Sequence, residues 1–380
     1  MELERVVRAG EGRLKARLRE LIEVESPSES KAGVDRAGAL VARWAEELGG
    51  KVKRHRQKTF GDMLELRFGS ARSQRGRVLL LGHLDTVWPE GTLARMPWRE
   101  ADGKLWGPGV VDMKAGVVMA LEAVSALREM REERPVTLLL VSEEEVGSPV
   151  SRGITERLAA ECAAVLVLEP AQGMAYKTAR KGVGHFVLRV DGVGAHAGVD
   201  FESGHSAVRE MARLVERVSG FTDLSKGLTV NVGVIGGGTR SNVVAAECVA
   251  EVDVRIAKAR DAARVERMFR GLKATDKACT LTVSGGMNRP PMERRAGTIA
   301  LFRMARRLAG EMGVTLDEAS TGGGSDGNFT AAMGVPTLDG MGAVGGGAHA
   351  AHEHVVVRHL VERTALLAGV VAGVGAGAGR

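Results

Sequence analysis

The 380-residue sequence predicts an α/β fold with a smaller α+β domain inserted into it. Three observations lead there. A domain usually holds about 100–200 residues, so this chain has room for two. In its first half, near-continuous apolar runs alternate with helical segments, the pattern of a largely parallel sheet covered on both faces. From residue 182 the runs alternate instead. They follow the order strand–helix–strand–strand–helix–strand of a small split βαβ, ferredoxin-like sandwich.

Residues 3–23 place Leu3, Val6, Val7, Leu14, Leu18, Leu21 and Ile22 at helical spacing, and Ser26-Pro27-Ser28 ends the pattern. A helix over 33–48 stops at Gly49-Gly50. Segments 77–81, 136–141 and 163–168 read as buried strands, with helices at 113–130 and 151–161 between them. In the insert, strands are expected at 186–190, 228–235, 243–256 and 279–284, with helices at 204–219 and 261–273. Helices at 296–312 and 355–372 return to the first texture. The expected domains are therefore 1–182 with 291–380, and 183–290. The tail Gly369 to Arg380, rich in Gly, Ala and Val, reads as a flexible end.

Composition excludes several classes. Apolar residues make up 44% and charged residues 26%, an ordinary globular balance that rules out a disordered chain. The net charge of +6 is dispersed, and only 8 Phe, 4 Trp and 1 Tyr are available to stack on bases, so no nucleic-acid partner is expected. Cys162, Cys248 and Cys279 form neither a CxxC pair nor a disulfide framework, which suits a reducing compartment. The uncharged run Ala365 to Gly379 is shorter than the roughly 20 apolar residues that span a bilayer. Met1-Glu2-Leu3-Glu4-Arg5 lacks the apolar core of a signal peptide. A cytoplasmic protein with no membrane partner is expected.

The informative residues fall where apolar strands end. His83-Leu84-Asp85 follows Leu79–Leu81, and residues two apart in an extended segment share a face, so Asp85 is placed to orient the His83 ring. Asp112 lies between a Gly-rich turn and a helix, where it reads equally as an N-cap. Glu143, Glu144 and Glu145 crowd the mouth of the 136–141 strand, and Glu169 closes the 163–168 strand. His349, His352 and His354 follow a triple glycine. Open α/β sheets bind ligands at strand ends of this kind. Imidazoles and carboxylates with no Cys nearby suit Zn²⁺, Co²⁺ or Mn²⁺.

The set Gly82-His83-Leu84-Asp85-Thr86-Val87, Gly109 to Gly116 around Asp112-Met113-Lys114, Glu143-Glu144-Glu145 with Gly147-Ser148, Leu168-Glu169-Pro170 and Gly347-Ala348-His349 resembles the M20 family of zinc metallopeptidases. The likeness is greatest to the glutamate carboxypeptidase (carboxypeptidase G) group. It spans about residues 78–354 in family order. It implies a zinc-peptidase-type catalytic domain carrying a lid or dimerisation domain. Asp112 would bridge two Zn²⁺ ions, His83 and Glu169 would share one, and Glu145 and His349 the other. Glu144 would be the general base, with Asp85 assisting catalysis beside His83. His349 is preferred to His352 and His354 because it follows the Gly-rich loop and has Glu353 four residues on.

In the insert, His196 resembles a lid histidine that reaches a partner subunit's site as an oxyanion donor. That implies a homodimer formed through the inserted domain. Asn242, Arg289, Lys181, Gly324 and Ser325 match substrate-binding positions, and the Asp112–Met113 peptide is expected to be cis. The implied reaction is amide hydrolysis that releases a C-terminal amino acid, glutamate foremost, from a peptide or N-acyl substrate. The alternative is an N-acyl-amino-acid deacylase of the acetylornithine or acetylcitrulline type.

Overall fold

The computed structural model describes residues 2–69, 76–132 and 134–375. It divides into two compact units. One comprises Met1–Ala179, Arg294–Ser320 and Ser325–Arg380; the other comprises Arg180–Glu293 and Thr321–Gly324.

The first unit is built on a six-stranded sheet. Its order is Lys51–His55, Met63–Phe68, Val136–Val141, Val78–His83, Ala164–Val167, Thr337–Leu338. The last four strands run parallel and the first two antiparallel. Every residue of Val78–His83 and Val136–Val141 is buried. Alternate side chains of a strand point to opposite faces, and both faces are covered here. Leu80 and Leu138 join the large core that includes helix Ala115–Glu129, whereas Leu79, Leu81 and Leu139 pack with Leu158 and Ala159 of helix Arg152–Ala160. That two-sided burial explains why these strands read as continuous apolar runs.

Register places the site. His83 stands opposite Val141, and Leu81 opposite Val167. The segments carrying His83–Asp85, Ser142–Glu145 and Leu168–Glu169 therefore leave the sheet at one edge, the C-terminal edge of the parallel strands.

Two expectations near the C-terminus change. The helix expected from residue 355 begins at Arg358, because His354–Val356 pairs as a strand with Lys104–Trp106. The flexible end expected from Gly369 is not what the described residues show. Gly369 to Gly373 close the helix Arg358–Gly373, whose Val370 and Val371 are in the core. Apolar spacing outweighed the low helical propensity of its glycines. Residues 376–380 lie outside the described residues.

The second unit has a four-stranded antiparallel sheet in the order Thr229–Gly237, Glu247–Ile256, Gly182–Asp191, Thr280–Arg289. Phe186, Leu188 and Val190 alternate inward and share one core with helices Ala207–Ser219 and Ala262–Arg270. The Phe186 and Phe269 rings stack at 3.9 Å between centroids. The strand expected from residue 243 begins at Glu247.

Glu210 locks the first of these helices. It is 1% exposed, accepts hydrogen bonds from the N–H groups of Thr275 (2.6 Å) and Asp276 (3.2 Å), and pairs with Arg213 at 2.8 Å. Burial pushes its carboxyl up, but these donors outweigh burial and hold it below the usual range. A depressed carboxyl stabilises the fold above its unfolded value of about 4.3, and the contribution is lost as pH falls through the folded value. Glu210→Gln should cost about 1–3 kcal/mol in urea unfolding at neutral pH. The gap from the parent should shrink in acid; a gap equally large at about pH 3.5 would contradict the role assigned to this carboxylate.

Candidate metal centre

His83, at its strand end, is 1% exposed. Its Nδ1 lies 2.9 Å from the main-chain oxygen of Asp85, so Nδ1–H donates there and Nε2 is left as the free lone pair. Nε2 faces Asp112 Oδ1 at 3.3 Å and Glu169 Oε1 at 3.7 Å.

Asp85 acts on His83 as expected in charge but holds the ring mainly through its main chain. The carbonyl of Asp85, rather than its carboxylate, holds the ring; the carboxylate is 3.5 Å away. That carboxylate is fully buried and accepts from Ser28 Oγ (2.7 Å) and from the N–H groups of Glu144 (3.2 Å) and Glu145 (3.1 Å). Asp85 is thus a positioning residue that ties the His83 strand end to the glutamate segment, not a group poised to touch substrate.

Asp112 is no N-cap. Helix Ala115–Glu129 is preceded by Lys114 without a side-chain cap, and Asp112 has an extended backbone (φ −118°, ψ 94°). The Asp112–Met113 peptide is cis, as expected. The turn requires Gly109: its φ is +71°, and a Cβ there would stand 2.5 Å from Thr86 Cγ2. Asp112 Oδ1 faces His83, and Oδ2 faces His349 Nε2 at 3.4 Å. His349 Nε2 also lies 3.2 Å from Glu145 Oε2.

Two sets of donor atoms result, His83–Asp112–Glu169 and Asp112–Glu145–His349, each within 4.8 Å. Asp112 belongs to both. The electrostatics demand positive charge. Hydrogen bonds to Asp112 and Glu145 push His349 up to about 10. Burial works against a charged His83, but Asp112 and Asp85 outweigh it and raise its pKa. Burial likewise works against the Asp112 carboxylate, and the two imidazoles outweigh it and lower its pKa. Glu145 Oε1 is buried in the cluster with no hydrogen-bond partner. An orphaned carboxylate oxygen among imidazoles and carboxylates fits a borderline divalent metal.

The neighbouring acids and histidines have other duties. Glu143 is buried and accepts from Ser142 Oγ (2.9 Å), Val150 N (3.2 Å) and Ser151 N (2.6 Å), so it holds its own loop. Glu144 is half-buried between Glu143 and Glu145. His352 and His354 join neither set. His354 Nδ1 bonds the main-chain oxygen of His352 at 2.9 Å, and its ring lies 4.7 Å from that of Trp106.

Glu353 was legible only as a marker for His349. In the structure it is 1% exposed, and its carboxylate accepts from Trp88 Nε1 and from the N–H groups of Gly109, Val111 and Asp112. Lys114, likewise unremarked in its own right, is buried; burial pushes it down to about 7, and its Nζ donates to the Val24 carbonyl at 2.7 Å.

His196, Asn242, Arg289, Lys181 and Gly324 belong to the second unit. His196 is exposed, and its Nδ1 accepts from Gly198 N at 3.1 Å. Its segment pairs with that of Asn242, whose carbonyl accepts from Ala197 N. Arg289 is buried at a strand end beside Gly324, where a Cβ would come within 3.1 Å of Arg289 Cδ. Lys181 donates its N–H to Thr321 O at 3.0 Å. Ser325 belongs to the first unit and departs from its expected role. It is fully buried, its Oγ donates to Asp339 Oδ2 at 2.6 Å, and its N–H donates to Asn328 at 3.0 Å. One donor is used within the loop and the other on Asp339 beyond the next strand, so neither is left for a substrate.

A carboxylate–imidazole cluster at the C-terminal edge of a parallel sheet marks a metallohydrolase centre, and the chain belongs to peptidase family M20/M25/M40, whose profile matches residues 79–373. It is 29% identical over 373 residues to carboxypeptidase G2 of Pseudomonas sp. (strain RS-16), covering 95% of this chain and 89% of that one. It is also 29% identical over 255 residues to acetylornithine deacetylase of Salmonella arizonae, covering 62% and 66% of the two chains. Among solved structures, a tripeptidase from Staphylococcus aureus shares the fold with a TM-score of 0.82 at 20% identity, covering 96% of this chain and 98% of that one. An M20 family metallo-carboxypeptidase from Sulfolobus solfataricus shares it at 0.75 and 14% identity, covering 94% and 98%. Among the described residues, no helix is long and apolar enough to cross a membrane.

Asp85→Asn should leave the far-UV spectrum unchanged and lower kcat about 10–100-fold, because an amide cannot serve both N–H groups of the Glu144–Glu145 segment. Parental kcat in that variant would remove Asp85 from the support of the site.

Proposed function

We propose that this chain is a dizinc hydrolase that cleaves an amide bond and releases a C-terminal amino acid, glutamate foremost, from a peptide or N-acyl substrate. The shared carboxylate of Asp112, one oxygen toward His83 and the other toward His349, carries this reading. His83, Asp112 and Glu169 would hold one ion, and Asp112, Glu145 and His349 the other, with Co²⁺ or Mn²⁺ as substitutes. Bound there, the ions would supply Lewis acidity to the scissile carbonyl and to the attacking water.

The chain's own groups do the rest. Glu144 takes a proton from the water at its carboxylate and returns it to the leaving amine. The water oxygen bonds to the carbonyl carbon, the C–N bond breaks, and no covalent enzyme intermediate forms. Arg289, whose planar fork matches a carboxylate, and Asn242 receive the terminal carboxylate of the substrate, and Lys181 and Gly324 complete the substrate-binding set. His196 donates to the developing oxyanion from the partner subunit of a homodimer. Exposed Val199, Phe201, Leu224, Val234 and Ile235 in the second unit support such a dimer. Three free cysteines suit the cytoplasm.

The likeness to an acetylornithine deacetylase favours a second reading, an N-acyl-amino-acid deacylase of the same fold. A hydrolysis panel of aroyl glutamates, dipeptides and N-acetyl amino acids separates the two. Aroyl glutamates should give the highest kcat/KM, and a preference for N-acetylornithine would transfer the assignment to the deacylase. Glu144→Gln should retain two zinc ions by elemental analysis while kcat falls about 10²–10⁴-fold. Undiminished turnover would move the base elsewhere, and one or no zinc in the parent would end the dinuclear proposal.

A further inference from the structure

Three loops far apart in the chain carry or adjoin the candidate ligands: the one through Trp88 that follows His83, the turn after Gly109 with Asp112, and the loop with His349 that ends at Glu353. We infer that Glu353 is the positioning residue that sets the spacing of the metal centre, by clamping these three loops with one carboxylate; this rests on the ligand reading proposed above.

Glu353 Oε2 accepts from Trp88 Nε1 at 2.7 Å and Gly109 N at 2.9 Å. Oε1 accepts from Val111 N at 2.9 Å and Asp112 N at 3.2 Å. Four donors converge on two oxygens in a place closed to water. Only an acceptor-only group satisfies them all; an amide of the same size would turn its own N–H₂ toward two of the donors.

Each contact bears on a ligand. The bond to Asp112 N fixes the residue whose carboxylate is common to both donor sets. The bond to Trp88 holds the segment that leaves the sheet at His83. At its own end, Glu353 is four residues from His349. The loop between them folds back through Ala350 N to Gly347 O (2.8 Å) and Glu353 N to Ala350 O (2.9 Å). His349 has φ +61° within that loop. Moving Glu353 therefore moves His349 relative to Asp112. Hydrogen-bonded partners of metal ligands are commonly worth about 10–100-fold in metal affinity.

The test titrates Zn²⁺ into metal-free parent and Glu353→Gln proteins by calorimetry. It also records the visible spectrum of the Co²⁺-loaded forms and the Tm of the metal-free forms. Glu353→Gln should bind at least one ion about 10–100-fold more weakly and show an altered Co²⁺ spectrum. A purely structural acid would lower the metal-free Tm and leave both metal readouts at parental values, and that result overturns the inference. Should Glu353→Gln fail to fold, Trp88→Phe removes one donor and keeps the carboxylate. Weakened Zn²⁺ binding in that variant supports the clamp, and parental binding rejects it. A parent that binds no Zn²⁺ sinks the ligand reading and this inference together. A parent that binds two ions beside an indistinguishable Glu353→Gln sinks the inference alone.

Discussion

The register of three parallel strands is the constraint on which the site depends. His83 is level with Val141, and Leu81 with Val167, so three strand ends deliver three acidic or imidazole-bearing segments to one edge. A slip of one residue would exchange the two faces of a strand. Leu80 and Leu138 would then leave the core that holds helix Ala115–Glu129, and His83 would turn away from Asp112. Both faces are buried, so the cost of a slip falls on apolar packing, and the chemistry inherits its precision from that packing.

Crowding so many carboxylates into a small volume is tolerated because each has a different set of neighbours. Glu143, Asp85 and Glu353 face main-chain N–H groups and serve as internal braces. Asp112, Glu145 and Glu169 instead lie in the two donor sets with His83 and His349, where a proton or a metal ion would offset their negative charge. One residue type thus performs two jobs, divided by whether backbone amides point at it. The arrangement agrees with a general rule: buried charge is kept where it is hydrogen-bonded or bound to metal.

What could be read from the chain follows from the same physics. The apolar runs were visible because both faces of the sheet are covered, and His83, Glu145 and Glu169 stood out because each lies at or just past the end of such a run, whereas Asp112, beside a Gly-rich turn, and His349, after a triple glycine, were singled out by the family resemblance. The braces were not visible. Nothing local distinguishes Glu353 from an exposed acid, since its donors come from Trp88 and Gly109, far away in sequence. Asp85 reads as a partner of His83 by spacing, but its carboxylate is taken by amides contributed from residues 144 and 145. Ser325 looks like a free hydroxyl in a Gly-rich loop until Asp339 folds over it. The strand His354–Val356 needs Lys104–Trp106 to exist, and periodicity over three residues carries no signal.

The separation of Trp88 from Glu353 by 265 positions has a consequence for biogenesis. Strands Val78–His83 and Val136–Val141 are synthesised early and pair with each other, but Thr337–Leu338 and the His349 loop follow the whole of the inserted unit. A nascent chain that has passed the insert therefore owns most of the catalytic sheet and only one of the two candidate donor sets. The second set closes when the last loop arrives. The two candidate donor sets are thus completed at different points along the chain, one before the insert and the other only once the loop of His349 has followed it.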